Sequence, residues 1–179
     1  MNSEIKFQFI RPFGPIICKV TMPTEIIENL NSYVEQTIKN QKKISELDHG
    51  KNLAGNVQQE FKLEKKFIEE SKWGVFLSNC AKAWIKQTLN QEISKFQLIS
   101  SWIVRQFKNE YNPIHTHGGH LSGVGYLKVP KSFGEYHQKT KVNNQNGMLT
   151  LVHGSKTFMS ESTFTIEPKV GDFYFFPNY

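Results

Sequence analysis

Hydrophobic and polar residues alternate with period two near the amino terminus, where Ile5, Phe7 and Phe9 are separated by Lys6 and Gln8. That alternation gives a strand one apolar face. Arg11-Pro12-Phe13-Gly14-Pro15 carries turn residues, and Ile16 to Val20 reads as the returning strand, so residues 4–20 predict a short strand pair. The period then lengthens. Thr24 follows Pro23 as the expected N-cap, Glu25 and Glu28 fall in the first turn, and Ile26, Ile27, Leu30, Tyr33, Val34 and Ile38 recur at helical spacing to about Lys42. His49 to Val57, rich in Gly and Asn, is expected to be a loop. A second helical stretch runs from about Leu63 to Leu89, interrupted near Ser71 to Gly74. Its later half sets Trp73, Phe76, Leu77, Cys80, Ala81, Trp84 and Thr88 on one face, which reads as core packing.

From Phe96 onward the pattern is that of short strands. Ile99, Trp102, Ile103, Val104 and Phe107 predict one, and others are expected at Leu121 to Val129, Met148 to Val152, Lys156 to Ile166 and Asp172 to Phe176. Pro130 to Gly134, Asn143 to Gly147 and Pro168 to Gly171 separate them as turns. Helices followed by a run of strands is an α+β order, with helices packed on one face of a sandwich or barrel.

Composition narrows the class. The chain has 179 residues, 38% hydrophobic and 13% aromatic, and its 14 Phe, 6 Tyr and 3 Trp supply enough burial for one core, which excludes global disorder. A single domain over 1–179 is expected, with the strand pair and helices in 1–95 and the β-rich core in 96–179. No apolar run approaches the roughly 20 residues of a membrane span, and Met1 to Phe13 has no signal-peptide core; a cytoplasmic protein without a membrane partner is the expectation. The formal charge of +6 is scattered, with Lys42-Lys43 and Lys65-Lys66 beside Glu46 and Glu64, so it makes no nucleic-acid footprint. Cys18 and Cys80 read as two free thiols.

Candidate chemistry concentrates in Pro113-Ile114-His115-Thr116-His117-Gly118-Gly119-His120. On an extended segment His115 and His117 point to the same side, and two imidazoles on one side reach one metal ion. A polar loop with satisfied histidines is the other reading of the same residues. His120 lies beyond two glycines and is able to turn either way. His49 is expected in a solvated loop, His137 in the polar stretch Tyr136 to Asn146, and His153 in a strand-end turn. No G-x-S-x-G, P-loop or dinucleotide fingerprint occurs, which leaves hydrolase and kinase readings without support.

The flanking segments sharpen the picture. Trp102-Ile103-Val104-Arg105-Gln106-Phe107 leads to Tyr111-Asn112-Pro113-Ile114-His115-Thr116-His117, then to Leu121-Ser122-Gly123-Val124-Gly125-Tyr126-Leu127, Asn146-Gly147-Met148-Leu149-Thr150-Leu151 and Gly171-Asp172-Phe173-Tyr174-Phe175-Phe176-Pro177. Over about residues 96–179 this succession resembles the iron(II)/2-oxoglutarate-dependent oxygenases, especially a branch related to prolyl hydroxylases. The resemblance implies a double-stranded β-helix, or jelly roll, with iron(II) as cofactor, 2-oxoglutarate as cosubstrate and O2 as a partner. It implies hydroxylation of a C–H bond in a small-molecule or peptidyl substrate, such as an amino-acid residue. His115 matches the family's first metal ligand. His117 stands where the family has a carboxylate, a departure with two readings: as a ligand it would leave a bound iron one charge more positive, and otherwise a water or another residue completes the sphere. Tyr126 matches a tyrosine that holds the distal carboxylate of 2-oxoglutarate, and Leu149 matches an apolar wall beside it. The family's third ligand and its cosubstrate-binding arginine are expected beyond Tyr179. Two alternatives stay open: a cupin-like metal-binding protein that does not use 2-oxoglutarate, and a non-catalytic jelly-roll binding module.

Overall fold

The computed structural model describes residues 5–10, 14–135, 140 and 143–178. Its elements, in chain order, are β1 (Phe7–Ile10), β2 (Ile17–Thr21), α1 (Thr24–Ile38), α2 (Gln41–Leu47), a single 3-10 turn (Gly50–Asn52), β3 (Gln59–Lys62), α3 (Lys65–Glu70), α4 (Trp73–Leu89), β4 (Trp102–Arg105), β5 (Leu121–Gly125), β6 (Leu149–Val152), β7 (Thr163–Ile166) and β8 (Asp172–Pro177). They fall into two compact units. The first comprises Met1–Pro23 and Leu121–Pro177, and the second Thr24–His120 with Asn178–Tyr179.

In the first unit β1, β2, β8 and β5 form a four-stranded antiparallel sheet in that order, and β6 pairs with β7. The amino-terminal strand pair forms as its alternation predicts, with Phe9 opposite Cys18. The strand β2 also pairs with β8, Lys19 opposite Tyr174, so a segment from the start of the sequence completes a sheet of strands from its end. Period two divides β8 between two faces. Phe173 and Phe175 lie on one face with Cys18 and Val20, all buried. Their bulk requires an absence next door: an ideal Cβ on Gly123 would sit 2.6 Å from Phe173 Cζ, and one on Gly125 would sit 2.6 Å from Phe173 Cδ2. On the other face Tyr174 joins Ile17 and Ile166 in an apolar cluster, against which Tyr126, Leu149, Leu151 and Phe164 pack. One polar group interrupts it. The buried Asp172 accepts from Tyr174 Oη at 3.2 Å and pairs with Lys19 Nζ at 2.8 Å, and that bond raises the Lys19 ammonium above its ordinary pKa.

The strands β5 and β7 are shorter than their sequence pattern suggests. The strand β5 stops at Gly125, although Tyr126 still exchanges backbone bonds with Gly171 and Asp172. The expected strand from Lys156 to Ile166 shrinks to β7, because Thr157 and Ser160 bond to each other's backbone and the chain reverses at the exposed Phe158 and Met159. Gly147, with φ of +69°, lies under the Phe133 ring, where a Cβ would come within 2.8 Å of Cγ.

In the second unit α1 buries Ile26, Leu30, Tyr33 and Thr37. The single helix expected to reach Lys42 breaks at Asn40, whose side chain accepts from Lys43 N at 3.1 Å and so caps α2. The interruption expected near Ser71 to Gly74 is Lys72, a non-glycine residue with φ of 60° between α3 and α4. Along α4, Trp73, Phe76, Leu77, Cys80, Ala81 and Trp84 are buried as their spacing predicts, while Thr88 is only half-buried and turns its hydroxyl to Trp84 O. Burial pushes the Cys80 thiol up to about 12, which keeps it an unreactive neutral group. The strand β3, absent from the sequence expectation, pairs antiparallel with β4, Glu60 opposite Val104 and Lys62 opposite Trp102. All the sheets are antiparallel and the molecule mixes helix with sheet, an architecture compatible with the fold that the family resemblance implies.

The Gly123–Phe173 contact makes a direct prediction. Gly123→Ala places a methyl group against a buried ring and within 3.1 Å of Tyr174 O. It should cost about 1–3 kcal/mol, as overpacking of a filled interior does, read as a lower denaturation midpoint; an unchanged midpoint would show that the ring is not held over the glycine.

Candidate metal centre

The segment carrying the histidines follows β4 and is tied down along its length. Glu110 accepts from Phe107 N at 2.7 Å and from Gln58 N at 3.2 Å, and Asn56 N bonds to Tyr111 O at 2.8 Å. At the far end Asn178 donates to Gly118 O at 2.6 Å and to His120 O at 3.0 Å. Gly119, with φ of +87°, makes the turn between them.

Within this segment His115 and His117 come together, ring centroids 4.7 Å apart and Nε2 atoms 3.1 Å apart. Nδ1 of His115 lies 2.7 Å from Pro113 O, and a carbonyl only accepts, so Nδ1 carries the proton and Nε2 the lone pair. In the metal-free protein His117 Nε2–H is then the donor across the pair. Burial lowers the His117 pKa, and the neighbouring His115 lowers it further, so the ring is neutral at pH 7. The arrangement suits a first-row divalent ion as far as it goes: two imidazole nitrogens each about 2.1 Å from one ion and at right angles lie about 3.0 Å apart. Among the described residues no group of three or more His, Cys, Asp or Glu converges to hold a metal ion.

Trp102 of β4 backs the pair, its ring 6.2 Å from that of His117. On Trp102 also rests His49, edge-on at 5.5 Å. The sequence expectation of a solvated His49 is therefore corrected: the residue is buried, because its backbone N–H bonds to Glu60 O at 2.8 Å and draws the loop onto β3. Asn52 Nδ2 donates to His49 Nδ1 at 3.1 Å, and burial, with the field of Lys62, lowers the His49 pKa. His120 is exposed and stands outside this cluster. His153 belongs to the first unit, where its backbone N–H bonds to Ser162 O. His137 lies outside the described residues.

The two residues that the resemblance assigns to the cosubstrate are both in the first unit. Tyr126 and Leu149 pack against the same apolar cluster of Ile17, Ile166 and Tyr174. Burial raises the Tyr126 phenol pKa, with Tyr174 and Asp172 adding to it, so its hydroxyl stays a protonated donor.

Residues 100–179 match the model of a family described as "Putative 2OG-Fe(II) oxygenase". The matched segment contains the histidine pair, Tyr126 and Leu149. It supports a 2-oxoglutarate-dependent oxygenase as the class of activity, with Fe(II) and 2-oxoglutarate as what that family implies. No curated protein and no solved structure matched the chain.

Sequence reasoning passed over Glu60 and put His49 in a solvated loop, whereas Glu60 lies on the face of the β3–β4 pair that carries Trp102 and His49 rests on the Trp102 ring. Gln59-Glu60-Phe61-Lys62 has a single apolar residue and a carboxylate at a buried position, so it shows no strand alternation. The buried His49 sets a pH dependence. The unfolded chain takes up its proton near 6.5 and the native state only at lower pH. Below about pH 6.5 the unfolded state thus binds more protons, and stability falls as pH falls. Denaturation at pH 7 and at about pH 5.5 should show a smaller loss in His49→Gln than in the wild type; equal losses would remove His49 as a source.

Proposed function

We propose that this chain is an iron(II)- and 2-oxoglutarate-dependent oxygenase that hydroxylates a C–H bond of a peptidyl or amino-acid substrate. The observation that carries the reading is the 3.1 Å approach of the His115 and His117 Nε2 atoms inside the family-matched segment. Iron(II) held by this pair supplies the redox chemistry that couples decarboxylation of 2-oxoglutarate to succinate with oxidation of a substrate C–H bond by O2.

The protein's own groups prepare that chemistry. The Nδ1–H bond to Pro113 O fixes the His115 ring and its tautomer, as an outer hydrogen bond does for metal-binding histidines. Desolvation keeps His117 neutral, so the ring has only to shift its proton from Nε2 to Nδ1, and loses none, when Nε2 ligates. Trp102 flanks the His117 ring, the two tilted and 6.2 Å apart between centroids. Tyr126 offers a neutral O–H to the distal carboxylate of 2-oxoglutarate, and Leu149 an apolar wall. The same reading takes β1-β2-β8-β5 and β6-β7 as parts of a jelly roll, residues 1–179 as a single domain, and the cytoplasm as its place. For the last, the support is that Cys18 and Cys80 are buried thiols and that, among the described residues, no helix is long and apolar enough to cross a membrane.

Two measurements test this. His115→Ala with His117→Ala should abolish stoichiometric uptake of iron(II) or manganese(II) and 2-oxoglutarate-dependent succinate formation. Metal uptake without succinate in the wild type would point instead to a cupin-like metal-binding protein, and unchanged uptake in the double variant would refute the site. Tyr126→Phe removes one hydrogen bond to a charged group, worth roughly 1.5–3 kcal/mol. It should raise the 2-oxoglutarate Kd about tenfold or more while metal affinity is kept; an unaltered Kd would leave Tyr126 a packing residue.

A further inference from the structure

His117 occupies the place of a carboxylate, so the proposed seat offers two neutral rings and no negative charge of its own to a doubly charged ion. A buried carboxylate on β3 bears on this lack of charge. Glu60, at the middle of β3, is only 3% exposed, and among the described residues its Oε2 atom has no hydrogen-bond partner. Leaving a buried carboxyl unpaired costs several kcal/mol unless a countercharge arrives, so an orphan of this kind calls for an explanation.

The strand register says which way it faces. Glu60 and Lys62 are two apart on β3, opposite Val104 and Trp102 on β4, and opposed residues share a face. Glu60 is therefore on the face of the β3–β4 pair that carries Trp102, against which His117 and His49 rest. The nearest groups add negative rather than positive potential. Burial raises the Glu60 pKa first, and Asp48 and Glu110 raise it further, while His115 acts in the opposite sense. Asp48 bonds to Gly50 N, and an ideal Cβ on Gly50 would be 3.5 Å from Asp48 Oδ1 and 3.6 Å from Glu60 Oε2, which brings the two carboxyls to the same spot. Glu60, with Asp48 and Glu110 acting on it, thus makes a negative neighbourhood on this side of the β3–β4 pair, which favours a cation.

We infer that Glu60 is the charge-balancing residue of the metal seat: from β3 it supplies, through space, the negative charge that the His-x-His pair lacks. It acts as a fixed charge behind the donors rather than as one of them, in keeping with the absence of a third convergent ligand among the described residues. This inference rests on the proposed seat at His115 and His117.

The test is titration of the full chain with cobalt(II), followed by the visible absorption of the bound ion and by calorimetry, so that no turnover is needed. The wild type should bind one equivalent, and the His115→Ala, His117→Ala double variant should bind none; if the double variant binds as the wild type does, the seat itself is wrong. With the seat established, Glu60→Gln keeps shape and removes charge, and should weaken cobalt binding at least tenfold. Wild-type affinity in Glu60→Gln would overturn the role of Glu60 alone. Lys62→Glu serves as a second variant that does not disturb the interior, since Lys62 is exposed on the same face. It should tighten binding severalfold, whereas unchanged or weaker binding would overturn the electrostatic account even if Glu60→Gln failed to fold.

Discussion

The first unit depends on β8 being paired along both edges. Its partners, β2 and β5, come from distant parts of the sequence, so the sheet closes a long loop before it gains any pairing, an entropic cost that grows slowly with loop length. What offsets it is the burial on β8 itself, where four consecutive residues, Asp172 to Phe175, are almost wholly removed from water. The Phe173 ring needs the bare backbone of Gly123 and Gly125 beneath it, so the glycines of β5 and the aromatics of β8 are two halves of one requirement. Tyr174, pointing the other way, brings Asp172 and Lys19 into the apolar cluster where Tyr126 and Leu149 sit.

Trp102 holds a comparable place in the second unit. It is a strand residue by pattern and a platform by position, with a histidine on each of two contacts. The short β3–β4 pair thus turns a sequence-local H-x-H into part of a larger assembly. His49, Glu60 and Trp102 come from separate stretches and meet only because β3 pairs with β4 and draws the preceding loop onto itself.

Elements with a clean period were legible in the sequence: the amino-terminal hairpin from its alternation, α1 and α4 from their spacing, and β8 from its aromatic run after a turn. The helix break at Asn40 was not, because the apolar spacing runs on toward Ile44 and only the capping geometry reveals the stop. The strand β3 escaped because its buried positions are Glu60 and Phe61, and a buried carboxylate erases the alternation that would mark a strand. Of the candidate site, the histidine pair was visible because two residues of separation carry it, whereas Tyr126 and Leu149 are named by family spacing alone and lie in the apolar cluster of Ile17, Ile166 and Tyr174. His49 and Glu60 depend on long-range pairing, which no local pattern encodes.

Phe133 and Gly147 have a bearing on how this sequence can change. The ring lies on the glycine, Asn146 Nδ2 reaches Phe133 O at 3.4 Å and Asn144 Nδ2 reaches Gly134 O at 2.5 Å, so the two ends of that stretch are fastened to each other. Gly147 and Phe133 are thereby bound to change together: any side chain at 147 meets the ring at 133 and, with φ at +69°, a left-handed backbone as well, so each position holds the other fixed in the sequence.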